Sequence, residues 1–262
     1  MMKGPSEPAT PAADWLEDLK KITARLAAEA GALRFAPPVT HVYNPLEYAR
    51  GPYLEYLARF GHPPKEAVFV GMNPGPFGMA QTGVPFGDVS AVSGWMGIRG
   101  AVGRPPTEHP KRPVLGFECP RSEVSGSRLW SWARSRFGSA EAFFGRFFVA
   151  NYCPLVFLEE SGRNRTPDRL KRGEREALFD SCDRALAQTV AVLEAPLVIG
   201  IGRFAEERAR RALAPIDVRI GRILHPSPAN PVANARWSVQ VEEELSALGL
   251  VFPATPPRLR SG

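Results

Sequence analysis

Two loops of this chain carry the residue types that could do chemistry. The first, GMNPGPFGMAQTGVPFG at 71–87, follows the apolar run Ala67-Val68-Phe69-Val70, which reads as a buried strand. Asn73-Pro74-Gly75-Pro76 and Gly78 break chain direction there, leaving a carboxamide, Asn73, and a ring, Phe77, at the strand's C-terminal edge. The second loop, His225-Pro226-Ser227-Pro228-Ala229-Asn230-Pro231, comes directly after the short apolar run 220–224. A neutral amide is not a credible general base, but it can hold a water by hydrogen bonding. An imidazole N–H can stabilise an anion as it forms, and a phenyl face can stack on a planar group. In open α/β sheets ligands bind outside the carboxyl edge of the strands, so two such loops at matching strand ends converge on one site.

The elements that would position these loops alternate. Apolar spacing predicts helices over 14–35, 45–60, 127–137, 173–193, 204–213 and 230–248, and strands over 67–72, 147–152, 197–201 and 218–224. Asp14 stands near the first helix start, and Pro45 suits a first turn. Alternation of this kind implies parallel pairing, hence an α/β/α sandwich around a four-stranded parallel sheet. Three of the four strand ends then bear candidate residues: Asn73 and Phe77, Asn151, and His225. From residue type alone, Asn151 reads equally well as a turn residue before Pro154. The remaining end, Gly200-Ile201-Gly202, offers no side chain and suits close packing against the next helix. Residues 14–252 form one expected domain between flexible tails at 1–13 and 253–262. The Gly-, Pro- and Arg-rich stretch 99–126 is long for a structureless run, which points to function.

Composition narrows the classes. In 262 residues, 33 Lys and Arg against 27 Asp and Glu give a net charge of +6, with Arg far outnumbering Lys. That balance suits a phosphate-binding face, because guanidinium groups fork onto phosphate oxygens. Cys119, Cys153 and Cys182 form no CxxC pair, so neither a zinc site nor a disulfide framework is supported, and a reducing compartment follows. No apolar run approaches the roughly 20 residues of a membrane span. The GxSxG elbow of serine hydrolases and the GxGxxG dinucleotide fingerprint are both absent.

Taken together, GMNPGPFGMAQTGVPFG and HPSPANPVAN resemble the two active-site motifs of the single-strand-selective monofunctional uracil-DNA glycosylases, a branch of the uracil-DNA glycosylase superfamily. ECPRSEVSG (118–126), NYCPLVFL (151–158), SGRNRTP (161–167) and GIGRFAEERARRALA (200–214) resemble the same family in the same order. The resemblance implies the α/β/α fold and a monofunctional enzyme, without metal or cofactor, that flips uracil out of DNA and hydrolyses its glycosidic bond. Plausible further substrates are 5-substituted uracils such as 5-hydroxymethyluracil, in single- or double-stranded DNA.

The same resemblance assigns roles. Asn73 would position a water near C1′ of the sugar, and His225 would donate to uracil O2 as negative charge forms there. Asn151 would read O4 and N3–H, a donor–acceptor pattern that cytosine reverses. Phe77 would stack on the base, with Met72 and Gly75 lining the pocket. Pro226, Ser227, Pro228, Ala229 and Asn230 begin a wedge, 226–236, filling the gap left by the extruded base. Vertebrate relatives carry Arg where this chain has Ala229, so single strands and U·G mismatches are expected to be better substrates than U·A pairs. Arg121, Ser122 and Ser125 are candidate phosphate contacts, whereas helix 203–214 reads as a solvated, ion-paired face. A catalytically silent DNA-binding protein of the same fold is the alternative; the presence of both Asn73 and His225 favours the enzyme. The expected partner is DNA and the expected state a monomer away from membranes. The expected location is intracellular, a bacterial cytoplasm and nucleoid ahead of a eukaryotic nucleus.

Overall fold

The computed structural model describes residues 14–228 and 231–253. Helix α1 (Trp15–Ala32) starts at Asp14, whose carboxylate accepts the Glu17 amide at 3.2 Å. Strand β1 (Val39–Tyr43) follows, then a single helical turn, α2 (Pro45–Tyr48), and α3 (Arg50–Phe60). The helix expected over 45–60 is thus two pieces, broken at Ala49. Strand β2 (Ala67–Gly71) is buried at every position and runs into the first motif loop, which holds the short α4 (Met79–Thr82). Next come α5 (Val124–Phe137), α6 (Ala140–Phe144) and three strands, β3 (Phe147–Asn151), β4 (Val156–Glu159) and β5 (Asn164–Arg165). The chain ends through α7 (Arg172–Val192), β6 (Leu197–Ile201), α8 (Arg203–Ala212), β7 (Arg219–Ile223) and α9 (Pro231–Ala247).

Four five-residue strands, apolar except for the edge strand β7 with its exposed Arg219 and Arg222, make the central sheet, ordered β3-β2-β6-β7 and parallel throughout. Gly71 lies opposite Asn151 and Ile201 opposite Ile223, so the carboxyl ends finish in line. The chain steps outward from β2 to β3, then returns across the sheet to β6 and β7. This reversal puts a topological switch point between β2 and β6, where an open α/β sheet leaves a crevice for ligand.

A second sheet, β1-β4-β5, is antiparallel and was not expected from the sequence. Tyr43 pairs with Val156 and Phe157 with Arg165. It packs beside the first motif through a small apolar cluster of Tyr43, Ala80, Val114, Val156 and Leu158. Tyr43 also pins the long 99–126 stretch, taking the His109 amide at 2.7 Å and donating to the Arg112 carbonyl at 2.8 Å. Gln81 holds the same stretch further on, through the Pro113 carbonyl and the Leu115 amide. The stretch is largely irregular, but its course is fixed by these buried polar partners.

Helix α8 carries the expected surface ion pairs, Arg203–Glu207 and Arg210–Glu206. Arg208 departs from that pattern. It is buried, stacks on Phe179 with its guanidinium carbon 4.3 Å from the ring centroid, and binds both Asp183 and the Tyr152 hydroxyl. Tyr152 follows Asn151 directly, so this network braces the end of β3 from behind.

Candidate active site

A cavity of about 320 Å³ opens at the carboxyl edge of the central sheet. Each sequence loop delivers part of its wall. Met72, Asn73 and Gly75 come from the turn after β2, Asn151 from the end of β3, and His225 from the loop after β7. These five expected pocket residues meet. Phe77, expected to stack on a base, does not line the cavity; its ring instead lies under two guanidinium groups, Arg121 at 4.1 Å and Arg112 at 5.3 Å from its centroid. The aromatic wall is Phe86, nine residues further along the same glycine-rich motif.

Phe86 is held with some strain. Its φ of 54° is left-handed, a conformation that costs a bulky residue free energy and persists where surroundings over-determine it. Here the Trp130 indole and the Asp88 amide both donate to its carbonyl, at 2.9 and 2.8 Å. The ring then passes over Gly71, where a Cβ would stand 2.5 Å from Phe86 Cε2 and 2.6 Å from Asn151 Oδ1. Glycine at the end of β2 is therefore what lets the ring and the carboxamide approach each other.

The three polar groups are oriented differently. Asn73 donates Nδ2–H to the Leu155 carbonyl at 3.0 Å, which leaves Oδ1 as its acceptor end. Asn151 places Nδ2 3.2 Å from the Met79 sulfur. The His225 imidazole makes no hydrogen bond to any described residue, and burial pushes its pKa below the ordinary histidine value, so the ring is neutral near pH 7. Its backbone is nonetheless well fixed. Just before it, the Leu224 amide donates to Glu244 at 2.7 Å and the Leu224 carbonyl accepts from Trp237 at 2.7 Å. Gly202, at φ +90°, lies against the His225 side chain, where a Cβ would stand 3.2 Å from the histidine Cβ.

Sequence reasoning missed several wall residues. Glu123 lines the cavity beside Gly75; burial pushes its carboxyl up, while the Ser125 and Phe77 amides pull it back. Asn164 of β5 and Thr166 just after it also line the cavity, and among the described residues the buried Asn164 Oδ1 has no partner. The SGRNRTP motif held that signal, since alternate residues of a strand share one face. Of the residues expected on phosphates, Arg121 is exposed and Ser125 lines the cavity. Ser122 is also exposed and donates its hydroxyl proton to Asp88 at 2.6 Å. Arg128 of α5 grips the second motif loop by the Pro226 and Ser227 carbonyls, at 3.2 and 3.3 Å. Asn234 Nδ2–H donates to the Pro228 carbonyl at 2.8 Å. Ala229 and Asn230 lie outside the described residues, as do the expected tail at 1–13 and, apart from Pro253, the expected tail at 253–262.

Cys119, Cys153 and Cys182 are all free and buried. No helix among the described residues is long and apolar enough to cross a membrane.

Comparison with known proteins agrees with this geometry. A profile of the uracil DNA glycosylase superfamily matches residues 58–246. The single-strand selective monofunctional uracil-DNA glycosylase of Rattus norvegicus is 53% identical over 229 residues, spanning 87% of this chain and 82% of the relative. That of Bos taurus is 53% identical over 229 residues, spanning 87% and 84%. Among solved structures, the crystal structure of wild-type Pedobacter heparinus SMUG2 superposes with a TM-score of 0.63 over 87% of this chain and 97% of that one. At 19% identity, that likeness speaks for the fold alone. By its sequence, the chain belongs to the single-strand selective monofunctional uracil-DNA glycosylase family of the uracil DNA glycosylase superfamily.

Proposed function

We propose that this enzyme hydrolyses the glycosidic bond of extruded deoxyuridine with Asn73 and His225 as its catalytic residues, Asn151 as the reader of the base and Phe86 as its stacking face. The observation that carries this reading is the meeting of all four at one cavity at the carboxyl edge of the sheet. The bond from C1′ to uracil N1 breaks first, its electron pair leaving with the base. Negative charge then collects on O2, where the His225 N–H donates; a neutral donor in a partly dry cavity does this without a counter-charge. Asn73 Oδ1 accepts one hydrogen of a water and so aims an oxygen lone pair at the cationic C1′. No strong base is needed, because the sugar centre is already electrophilic when the water adds. The water's released proton neutralises the uracil anion, giving free uracil and an abasic site.

Asn151 presents an acceptor to N3–H and a donor to O4, and cytosine would leave both unpaired. The presence of Asn73 and His225 together supports an enzyme over a silent DNA-binding protein. The relatives named above are mammalian, which supports a nucleus over the bacterial nucleoid expected from the sequence. The reduced wedge at Ala229 supports a preference for single strands and U·G mismatches over U·A pairs. The test is incubation with oligonucleotides carrying uracil, 5-hydroxymethyluracil, hypoxanthine or xanthine, followed by alkaline cleavage of abasic sites. Cleavage at uracil is expected; none at uracil in any strand context would overturn the reading.

A further inference from the structure

We infer that Arg112 and Arg121, stacked together on Phe77, form a clamp for a phosphodiester of the strand that delivers the base into the cavity. The inference rests on the glycosylase reading but concerns a different part of the surface. Phe77 follows Pro76, which lines the cavity, so its ring marks the cavity rim. Over that ring lie the guanidinium carbons of Arg121 and Arg112, at 4.1 and 5.3 Å from the centroid. Among the described residues neither guanidinium is ion-paired with a carboxylate, and the buried Arg112 Nε has no hydrogen-bond partner. Two unneutralised cations held against one ring repel each other. Holding both against one aromatic ring offsets part of that repulsion through the ring quadrupole and restricts the planar forks. A phosphodiester within reach of both forks would remove the rest.

The scaffold supports this placement. The backbone of Arg112 is fixed at both ends, its amide donating to the His109 carbonyl and its carbonyl accepting from Tyr43, each at 2.8 Å. The Phe77 amide acts on the Glu123 carboxyl against the effect of burial, which sets the ring's own backbone beside the cavity wall. The irregular 99–126 stretch thus brings two distant arginines to one spot beside the base pocket. DNA is the anion the geometry favours over a free phosphate, because the clamp adjoins the cavity through a continuous rim, Gly75-Pro76-Phe77. A phosphate fixed there orients the nucleotide without any need for a complementary strand.

The test uses the full-length protein and a single-stranded oligonucleotide with a non-hydrolysable fluorinated deoxyuridine. Binding is measured across salt concentrations for the wild type, Arg112→Ala, Arg121→Ala and the double variant. The double variant should bind about tenfold or more weakly, with the log–log salt slope reduced by about 0.7 for each phosphate it no longer neutralises. Arg121→Lys, which keeps the charge but loses the fork, should fall between. A scan with neutral methylphosphonate at each position flanking the uridine should weaken wild-type binding at one site and leave the double variant indifferent there. An unchanged slope and affinity in the double variant would overturn the clamp, as would an equal methylphosphonate effect in both proteins. Uracil excision by the wild type is scored separately, so a failed clamp and a failed glycosylase reading give different results.

Discussion

Replacing Gly71 with Ala should disable the base pocket while leaving the fold standing. The added Cβ would stand 2.5 Å from Phe86 Cε2 and 2.6 Å from Asn151 Oδ1, while ordinary contact begins near 3.4 Å. The arithmetic asks for a retreat of 0.9 Å by the ring (3.4 − 2.5) and 0.8 Å by the carboxamide (3.4 − 2.6), unless β2 itself shifts. Overpacking of this kind costs about 1–3 kcal/mol of stability. In a domain of this size that lowers Tm by roughly 2–4 °C for each kcal/mol. Displacing groups by about 1 Å at a reacting centre costs on the order of 100-fold in rate. The assay is single-turnover excision of uracil from a single strand with enzyme in excess, alongside a melting curve and binding to the non-hydrolysable oligonucleotide. The expected outcome is a rate loss near 100-fold, a melting point lower by several degrees and nearly unchanged DNA affinity. A Gly71→Ala protein that melts slightly early but excises uracil at the wild-type rate would refute the placement of Phe86 and Asn151 against the base.

Asn151→Asp should lose uracil excision at neutral pH, since an ionised carboxylate cannot donate to O4, and unchanged activity would move base reading to another group. Asp183→Ala should leave Arg208 buried without its counter-ion, lowering stability by about 2–4 kcal/mol and Tm by roughly 5–10 °C; an unchanged melting point would show that the pair is dispensable. For His225 the sign of the pH effect follows from burial: the folded protein binds the imidazole proton more weakly than the unfolded chain does. Stability should therefore fall as pH drops through about 6.5 and level off below the depressed folded value, and His225→Gln should flatten that dependence. In the same window the neutral ring persists, so single-turnover excision should hold its plateau at about pH 6.5. An acid limb at or above that pH would contradict a neutral donor.

The four parallel strands were legible because three are short apolar runs and the edge strand β7 alternates Arg219 and Arg222 with isoleucines beside Leu224, and all four fall within a residue or so of their expected ends. Their alternation with helices then fixed which loops share an edge, and Asn73, Asn151 and His225 could be brought together from sequence order. The antiparallel sheet was not legible. Val39–Tyr43 is too short to outweigh the neighbouring helix signals, and Val156–Glu159 follows Pro154 inside a motif that reads as site loop. The exchange of Phe77 for Phe86 has a similar cause. Both rings sit beside glycines in one motif, GPFG and VPFG, and nothing local distinguishes them. What decides is tertiary: the gap over Gly71 admits one ring, and two arginines distant in sequence occupy the other. Glu123 does not stand out from its serine neighbours in sequence, because its approach to Gly75 depends on where α5 docks, which no spacing rule conveys.

The central claim is that Asn73 and His225 act on the transition state and not on DNA binding. It is tested most directly by single-turnover excision of uracil from a single-stranded oligonucleotide by the wild type, Asn73→Ala and His225→Ala, each at saturating enzyme, with affinity for the non-hydrolysable strand measured in parallel. Loss of a principal anion donor costs about 2.7–4 kcal/mol, so His225→Ala should be slower by roughly 100- to 1000-fold, with affinity changed only a few-fold. Asn73→Ala should fall at least as far in rate, again with binding retained. Rates within a few-fold of wild type for either variant, or a loss that appears wholly in affinity, would contradict the mechanism.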